Sequence, residues 1–270
     1  MSMKVSCYIP CYNGAAHLPA LVECLRQQTV AIDDLFVVDD GSTDNSVAVC
    51  KSIGVTVIEN SQNMGRGFVR ALAMTTAKHE FVFAFDLTNH YSNDFVERAL
   101  QSMQPSDVAA VCGMICSPDS PSLLGRWQDR HIFQYHLREK IDYNAKFATY
   151  ACVCRKSLVM EVGNYDQTLR AFEDADLGRR LKKANYRVIQ DPELQVISIA
   201  TPTPARVLER YWRWFHFLDR PSLKFLLEQI YYSAKVMAVK DCKAGDYGAI
   251  FITLVLPYYC FIKTCLKSIK

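Results

Sequence analysis

The chain has 270 residues, half of them hydrophobic, a net charge of only +3 and eleven cysteines. That size suits one large core or a core with an added subdomain, and so weak an overall field does not argue for nucleic acid as a partner; any basic patch must be local. The opening MSMKVSCYIPCYN runs into an apolar strand pattern with no secretory leader, and an odd cysteine count leaves one thiol over in any full disulfide scheme, so a reducing cytoplasm is expected. The spacings of Cys112 to Cys116 and Cys152 to Cys154 do not match zinc hooks, and most cysteines read as small core hydrophobes.

The first half alternates strand and helix. KVSCYIP is a buried strand, and AAHLPALVECLRQQ repeats apolar residues at helical spacing through Leu18, Leu21, Val22 and Leu25. DLFVVDD, VTVIEN and EFVFAFD read as strands, with NSVAVCKSIG, a helix closed by Gly54, and GRGFVRALAMTTA, another helix, between them. Such alternation predicts right-handed crossovers and an α/β fold with a mostly parallel sheet flanked by helices, whose ligands sit beyond the carboxyl ends of the strands. Polar residues collect at those ends: residues 10–13, 39–44, 60–66 and 86–90.

VAAVCGMICS is a further strand, and LLGRWQDRHIFQYHLREKI is a helix crowded with basic residues and aromatics. FATYACVCRKSLVMEVG passes from strand to helix, a loop leads to the helix EDADLGRRLKKANY, and RVIQDPELQVISIA supplies one or two short strands. Composition turns aromatic and basic after Thr201, which divides the chain into a domain of residues 1–200 and a helical region of residues 201–270.

Three clusters carry candidate chemistry. In VVDDGSTDNS, Gly41 permits a tight turn and Ser42, Thr43 or Asp44 can cap a helix, which alone explains an isolated Asp-Gly; the adjacent carboxylates Asp39 and Asp40 ask for more, since like charges repel unless a ligand uses them. A carboxylate there can accept from a pyrimidine imide or from ribose hydroxyls. NMGRGFVR offers helix-entry amides with Arg66 and Arg70, suited to a diphosphate or to a solvated helix start. Glu173, Asp174 and Asp176 open a helix, where the macrodipole favours negative charge without catalysis, although a carboxylate held there also suits a general base acting on a sugar hydroxyl.

In that order, VSCYIPCYN, VVDDGSTDNS, NMGRG, a carboxylate closing the fourth strand and VGNYDQTLRAFEDADLGRRLKKANYRV resemble a family 2 glycosyltransferase with the A-type (GT-A) fold, over roughly residues 4–200. The resemblance implies a Rossmann-like sheet and a nucleotide-sugar donor, with Pro10, Tyr12, Asn13, Asp39 and Asp40 at the nucleoside, Arg66 near the nucleotide and Asp86 touching ribose or donor sugar. It also implies that Asp174 deprotonates the acceptor hydroxyl for single displacement with inversion, and that Glu173 orients it or touches the acceptor. The helix after NMGRG departs from the family in having Ala71 and Ala73 where Asn and Gly are usual.

The sharper departure lies in FAFDLTNHY. The family's Asp-x-Asp is here Asp86, Leu87, Thr88, and VISIATPTP lacks the metal-binding histidine of many relatives. Asp86 is the single doubtful metal ligand, so magnesium or manganese is expected to be weakly bound or dispensable, with Arg66, Arg70, His90 or a basic residue beyond Thr201 neutralising the leaving group. His90 also fits a solvated loop.

RVLERYWRWFHFLDRPSLKFLLEQIYYSAKVMAVK, with Trp212, Trp214, Phe215 and Phe217, suits either a lipid interface or a helix packed on the sheet. The apolar run from Ala249 to Ile262 is shorter than the roughly 20 residues of a span and is interrupted by Pro257, which favours peripheral or re-entrant attachment with Lys263, Lys267 and Lys270 on the cytoplasmic side. The expected activity is a hexosyltransferase-like transfer, UDP-sugar favoured, to a glycan or lipid-linked acceptor in polysaccharide or cell-envelope assembly. Two rivals stand beside it: an inactive nucleotide-sugar-binding or scaffold protein, and a nucleotidyltransferase, for which PCYNGAAH is a poor first loop.

Overall fold

Residues that alternate between two buried faces force a strand to sit inside a sheet covered on both sides, and β1 (Val5–Cys11) is such a strand, buried almost throughout. A computed structural model describes residues 3–117, 120, 122–134, 140–216 and 219–268. After β1 come α1 (Leu18–Arg26), β2 (Asp34–Asp39), α2 (Ser46–Ser52), β3 (Thr56–Glu59), α3 (Arg66–Thr76), β4 (Phe81–Phe85), β5 (Asn89–Tyr91), α4 (Phe95–Ser102) and β6 (Val108–Cys116). Then follow α5 (Leu123–Gln128), β7 (Ala151–Arg155), α6 (Lys156–Glu161), α7 (Glu173–Lys183), β8 (Arg187–Ser198), α8 (Pro204–Phe215), α9 (Leu223–Tyr232), α10 (Ala238–Lys243) and α11 (Tyr247–Ser268).

Among the described residues the strands form one sheet in the order β3-β2-β1-β4-β7-β6-β8-β5. β1 pairs in parallel with β2 and β4, and β2 with β3, as the strand-helix alternation requires. β7 enters antiparallel to β4 and β6, and β5 pairs antiparallel with β8, so the sheet is mixed beyond β4. Strand order reverses beside β1, which puts the ends of β1 and β4 at the switch point where such sheets bind ligands.

The period of two sorts the core. Val5, Cys7, Ile9, Val37, Phe83, Phe85, Ala151 and Val153 face α1 and α4, whereas Tyr8, Phe36, Val38, Val82, Ala84, Cys152 and Cys154 face α3 and α7. The eleven cysteines form no disulfides and nine are buried, as small core residues. Gly67 lets α3 meet the loop before α7: its N–H donates to the Leu169 carbonyl at 3.0 Å, and a Cβ there would collide with the carbonyl oxygens of Asp166 and Leu169.

The chain divides into two units, Met1–Ile115 with Arg138–Ile199, and Cys116–Leu137 with Ala200–Lys270. The boundary drawn from composition after residue 200 therefore leaves out Cys116–Leu137. That segment belongs with the C-terminal helices because Trp127 donates to Thr253 Oγ1 at 2.8 Å, Thr253 donates to the buried Asp241 at 2.6 Å, and Arg126 forks onto Asp246 at 3.1 and 3.0 Å.

Three local expectations change. The helix anticipated over residues 123–141 passes into a π-helical turn, Asp129–Phe133, that sets His131 Nε2 2.7 Å from Asp241, and it ends at Gln134 in the left-handed region; residues 135–139 lie outside the described ones. RVIQDPELQVIS forms a single strand of 12 residues, β8, longer than the one or two short strands expected. Pro257 does not end the last helix: α11 runs 22 residues, long and apolar enough to cross a membrane, and its buried face outweighs the local cost of proline.

α8 packs on helices of its own unit. Tyr211 and Trp212 are buried, with Trp212 Nε1 donating to Thr264 at 3.0 Å, while Phe215 is exposed. Phe217 and Lys270 lie outside the described residues.

Glycine-to-alanine changes inside helices ordinarily stabilise by about 0.5–1 kcal/mol. At Gly67 the sign should invert: Gly67→Ala should lose roughly 1–3 kcal/mol through overpacking, read as a lower urea midpoint. A higher midpoint would refute the close approach of α3 to residues 166–169.

Candidate active site

The carboxyl ends of β1 and β2 are tied together by side chains. Asp40 N–H donates to the Cys11 carbonyl at 2.8 Å, and Asn13, held in the left-handed region at φ 52°, accepts at Oδ1 from Thr43 N–H at 2.8 Å and Asp44 N–H at 3.3 Å. Asp39 accepts from Ser42 N–H at 2.9 Å and from the Ser42 hydroxyl. Asp40 accepts from Met64 N–H at 2.8 Å and Asn60 Nδ2 at 3.1 Å through one oxygen, and from Gly65 N–H at 2.9 Å through the other.

Each of the two adjacent carboxylates thus has its own set of protein donors, so their charges need no ligand to excuse them. Pro10 is half-buried at the end of β1, and Tyr12, 52% exposed, stands free of this clamp.

α3 begins after Gly65, whose φ of 94° requires a glycine, and Arg66, its first residue, is exposed. The expected amide cradle for a diphosphate is largely spent: Gly65 N–H goes to Asp40 and Gly67 N–H to Leu169. One turn on, Arg70 points inward. Its Nε donates to Glu173 Oε1 at 3.1 Å, Nη1 donates to the Tyr8 hydroxyl at 3.1 Å, and Nη2 lies 3.8 Å from Asp86 Oδ1. At 5% exposure it is a structural cation, not the phosphate-facing group anticipated for it.

α7 is entered through Phe172, a bulky residue at φ 62°, a backbone state that costs on the order of 1–3 kcal/mol and persists only where surrounding contacts impose it. Glu173 follows, 2% exposed and paired with Arg70, so it faces the interior. Asp174 is half-buried, with Oδ1 accepting from Ala175 N–H at 2.8 Å. Burial, and then the Glu173 charge, push its carboxyl above the ordinary value, against the pull of Arg70, the Ala175 amide and Arg66. Asp176 is spoken for by Arg180 Nε at 2.8 Å and by Arg179, so helix pairing explains it.

Asp86 follows β4 as expected, and its surroundings are rigid. Its N–H donates to the Tyr91 hydroxyl at 2.9 Å, and that hydroxyl and Asn89 Nδ2 both donate to the Tyr150 carbonyl at 3.2 Å. Tyr91 meets Phe85 edge-on with centroids 4.6 Å apart. His90 points outward and is exposed.

Thr88 occupies the second-carboxylate position, Arg70 stands beside Asp86, and among the described residues no three metal-binding side chains gather. Asp86 is the carboxylate at this motif that a divalent ion would use, together with the phosphates of a donor.

Tyr8 and the inward role of Arg70 went unread in the sequence. The available signals were a phenol within an aliphatic buried strand, and an arginine among Val69, Ala71, Ala73 and Met74 on the apolar face of a helix.

Two measurements test the electrostatics. Arg70→Met leaves Glu173 buried and unpaired and should cost about 3–5 kcal/mol in denaturant unfolding. Asp174→Asn should do the reverse: a carboxyl whose folded-state pKa is raised destabilises the fold when ionised, so the variant should melt higher near neutral pH. The gain should shrink as pH falls below the raised pKa and vanish below the ordinary carboxylate value, where folded and unfolded states are both protonated; a lower melting temperature at neutral pH would contradict the assigned environment.

The chain is 25% identical over 231 residues to the succinoglycan biosynthesis protein ExoA of Rhizobium meliloti, covering 81% of this chain and 69% of that one. In structure it is similar to the mannosyltransferase PcManGT from Pyrobaculum calidifontis, solved in complex with GDP-Man and Mn2+, with a TM-score of 0.58, 14% identity and coverage of 98% and 74%. It is also similar to S. aureus TarS 1-349 in complex with UDP, with a TM-score of 0.56, 16% identity and coverage of 97% and 88%. These neighbours establish a GT-A-like fold. The model of glycosyl transferase family 2 matches residues 6–165, and the chain belongs to that family.

Proposed function

We propose that the protein transfers a sugar from a nucleotide-diphosphate donor, a UDP-sugar foremost, to an acceptor hydroxyl with inversion, in glycan, polysaccharide or glycolipid assembly on the cytoplasmic side of a membrane. The observation that carries this reading is Asp174: a half-buried carboxylate with a raised pKa at the start of α7, next to a glutamate that Arg70 locks in place. A base in that setting keeps useful proton affinity near neutral pH. The carboxylate takes the acceptor proton as the acceptor oxygen bonds to the anomeric carbon; the bond from that carbon to the diphosphate breaks on the opposite face, and the nucleoside diphosphate leaves.

Supporting the donor class, one structural neighbour was solved with GDP-Man and another with UDP; ExoA, by its name, serves polysaccharide synthesis. Tyr12 and Pro10 would meet the base and ribose, Asp39 and Asp40 would shape that edge with Asn13, Asp86 would touch ribose or sugar, and exposed Arg66 would receive the developing diphosphate charge. Since Arg70 already compensates Asp86, we infer that magnesium or manganese is weakly bound or dispensable. The competing reading, a nucleotide-sugar-binding protein without turnover, is favoured only by the altered Asp86 motif.

A panel of nucleotide sugars, assayed for binding and for transfer or hydrolysis, decides between them. Asp174→Asn should lower kcat by about 100-fold or more while donor binding persists; unchanged turnover would remove Asp174 as the base. The acidic limb of the wild-type profile should lie above the ordinary carboxylate range, because activity is lost as pH falls through the raised pKa. Chelator should leave most activity in place, and abolition by chelator with rescue by manganese would overturn the metal assignment.

A further inference from the structure

The face that α11 turns outward is more hydrophobic than the one it buries. Inward lie Ala249, Thr253, Leu256, Pro257, Cys260 and Thr264, and the two threonine hydroxyls are spent on hydrogen bonds with Trp127, Asp241 and Trp212. Outward, Tyr247, Phe251, Leu254, Tyr258, Ile262 and Leu266 recur every three or four residues, each between 47% and 75% exposed. A helix at a water surface has these stripes the other way round. α9 repeats the feature with Leu223, Leu227 and Tyr231, from 57% to 70% exposed. Monomeric soluble proteins seldom leave such stripes open.

Charge identifies the medium. The unit made of Cys116–Leu137 and Ala200–Lys270 holds thirteen Lys and Arg against seven Asp and Glu, a net of +6, whereas the rest of the chain sums to −3. Exposed Lys224, Lys235 and Lys243 lie on or next to the helices that carry the stripes. A second copy of this unit would bring like charge against like; an anionic lipid surface supplies the opposite sign.

Depth follows from the buried face. Thr253, two turns into α11, bonds to Asp241, which also takes Arg130 and sits within 2.7 Å of His131. A spanning α11 would carry that ion-pair network to hydrocarbon depth, whereas a helix lying in the plane keeps it on the protein side.

We propose that this unit docks on anionic bilayers, with α11 in the membrane plane and Phe251, Tyr258 and Ile262 at the boundary between headgroups and acyl chains. The docking does not depend on the donor or base assigned above, so vesicle binding and turnover can fail separately.

The test is co-sedimentation of the full chain with vesicles of phosphatidylcholine alone or mixed with phosphatidylglycerol. Binding should be at least about tenfold stronger on the anionic vesicles and should weaken in high salt. F251E/I262E should lose at least about tenfold in binding with its circular dichroism and melting temperature retained, since both side chains point away from the core. Leu223→Glu on α9 provides the same reading should the double variant fail to fold. Absence of vesicle binding, a lipid-free dimer that F251E/I262E dissociates, or resistance of the membrane-bound chain to alkaline carbonate would each overturn the proposal.

Discussion

A guanidinium removed from water is tolerated only when its charge and donors are met, and Arg70 is met from three directions. Tyr8 reaches it from β1, Glu173 from α7 and Asp86 from the end of β4. Because these partners come from separate parts of the sheet and its helical cover, the pair Arg70–Glu173 fixes where α7 begins relative to the switch point beside β1. The strained backbone at Phe172 and the close approach at Gly67 follow from the same constraint, since both deliver residues 166–173 to the start of α3. Asp174 inherits its position, its partial burial and its raised pKa from that arrangement.

The rest of the carboxyl edge is organised before any ligand arrives. Asp40 gathers the amides of Met64 and Gly65, Asp39 holds the turn at Ser42, and Asn13 clamps residues 43 and 44. The groups left outward are Tyr12 and Arg66, one aromatic and one cationic. An edge whose loops are already bonded spends little binding energy on ordering them. At Asp86 the same economy takes another form: the buried Arg70 guanidinium lies 3.8 Å from its carboxylate, so this charge too has a fixed protein partner.

The second unit follows a different rule. Its interior holds a polar network in which Asp241, Arg130, His131, Thr253 and Trp127 satisfy one another, while Leu223, Leu227 and Tyr231 on α9 and Phe251, Tyr258 and Ile262 on α11 lie outside. Specific hydrogen bonds supply internal order where small side chains cannot, leaving the hydrophobic residues to meet a medium other than water.

The strand-helix alternation, the two-faced core and the polar clusters at the strand ends were legible from the sequence, because periodicity and turn chemistry are encoded within a few residues of one another. So was the order of motifs that relates the chain to its family. The sequence could not show that Arg70 turns inward to a glutamate 103 residues away, that Asp39 and Asp40 are satisfied by nearby loops, or that Cys116–Leu137 joins the C-terminal helices. Nor could it show that α11 continues through Pro257 with its apolar face outward. Each of these is decided by which distant groups share a desolvated space, and the energies of burial and ion pairing exist only once the tertiary structure has closed around them.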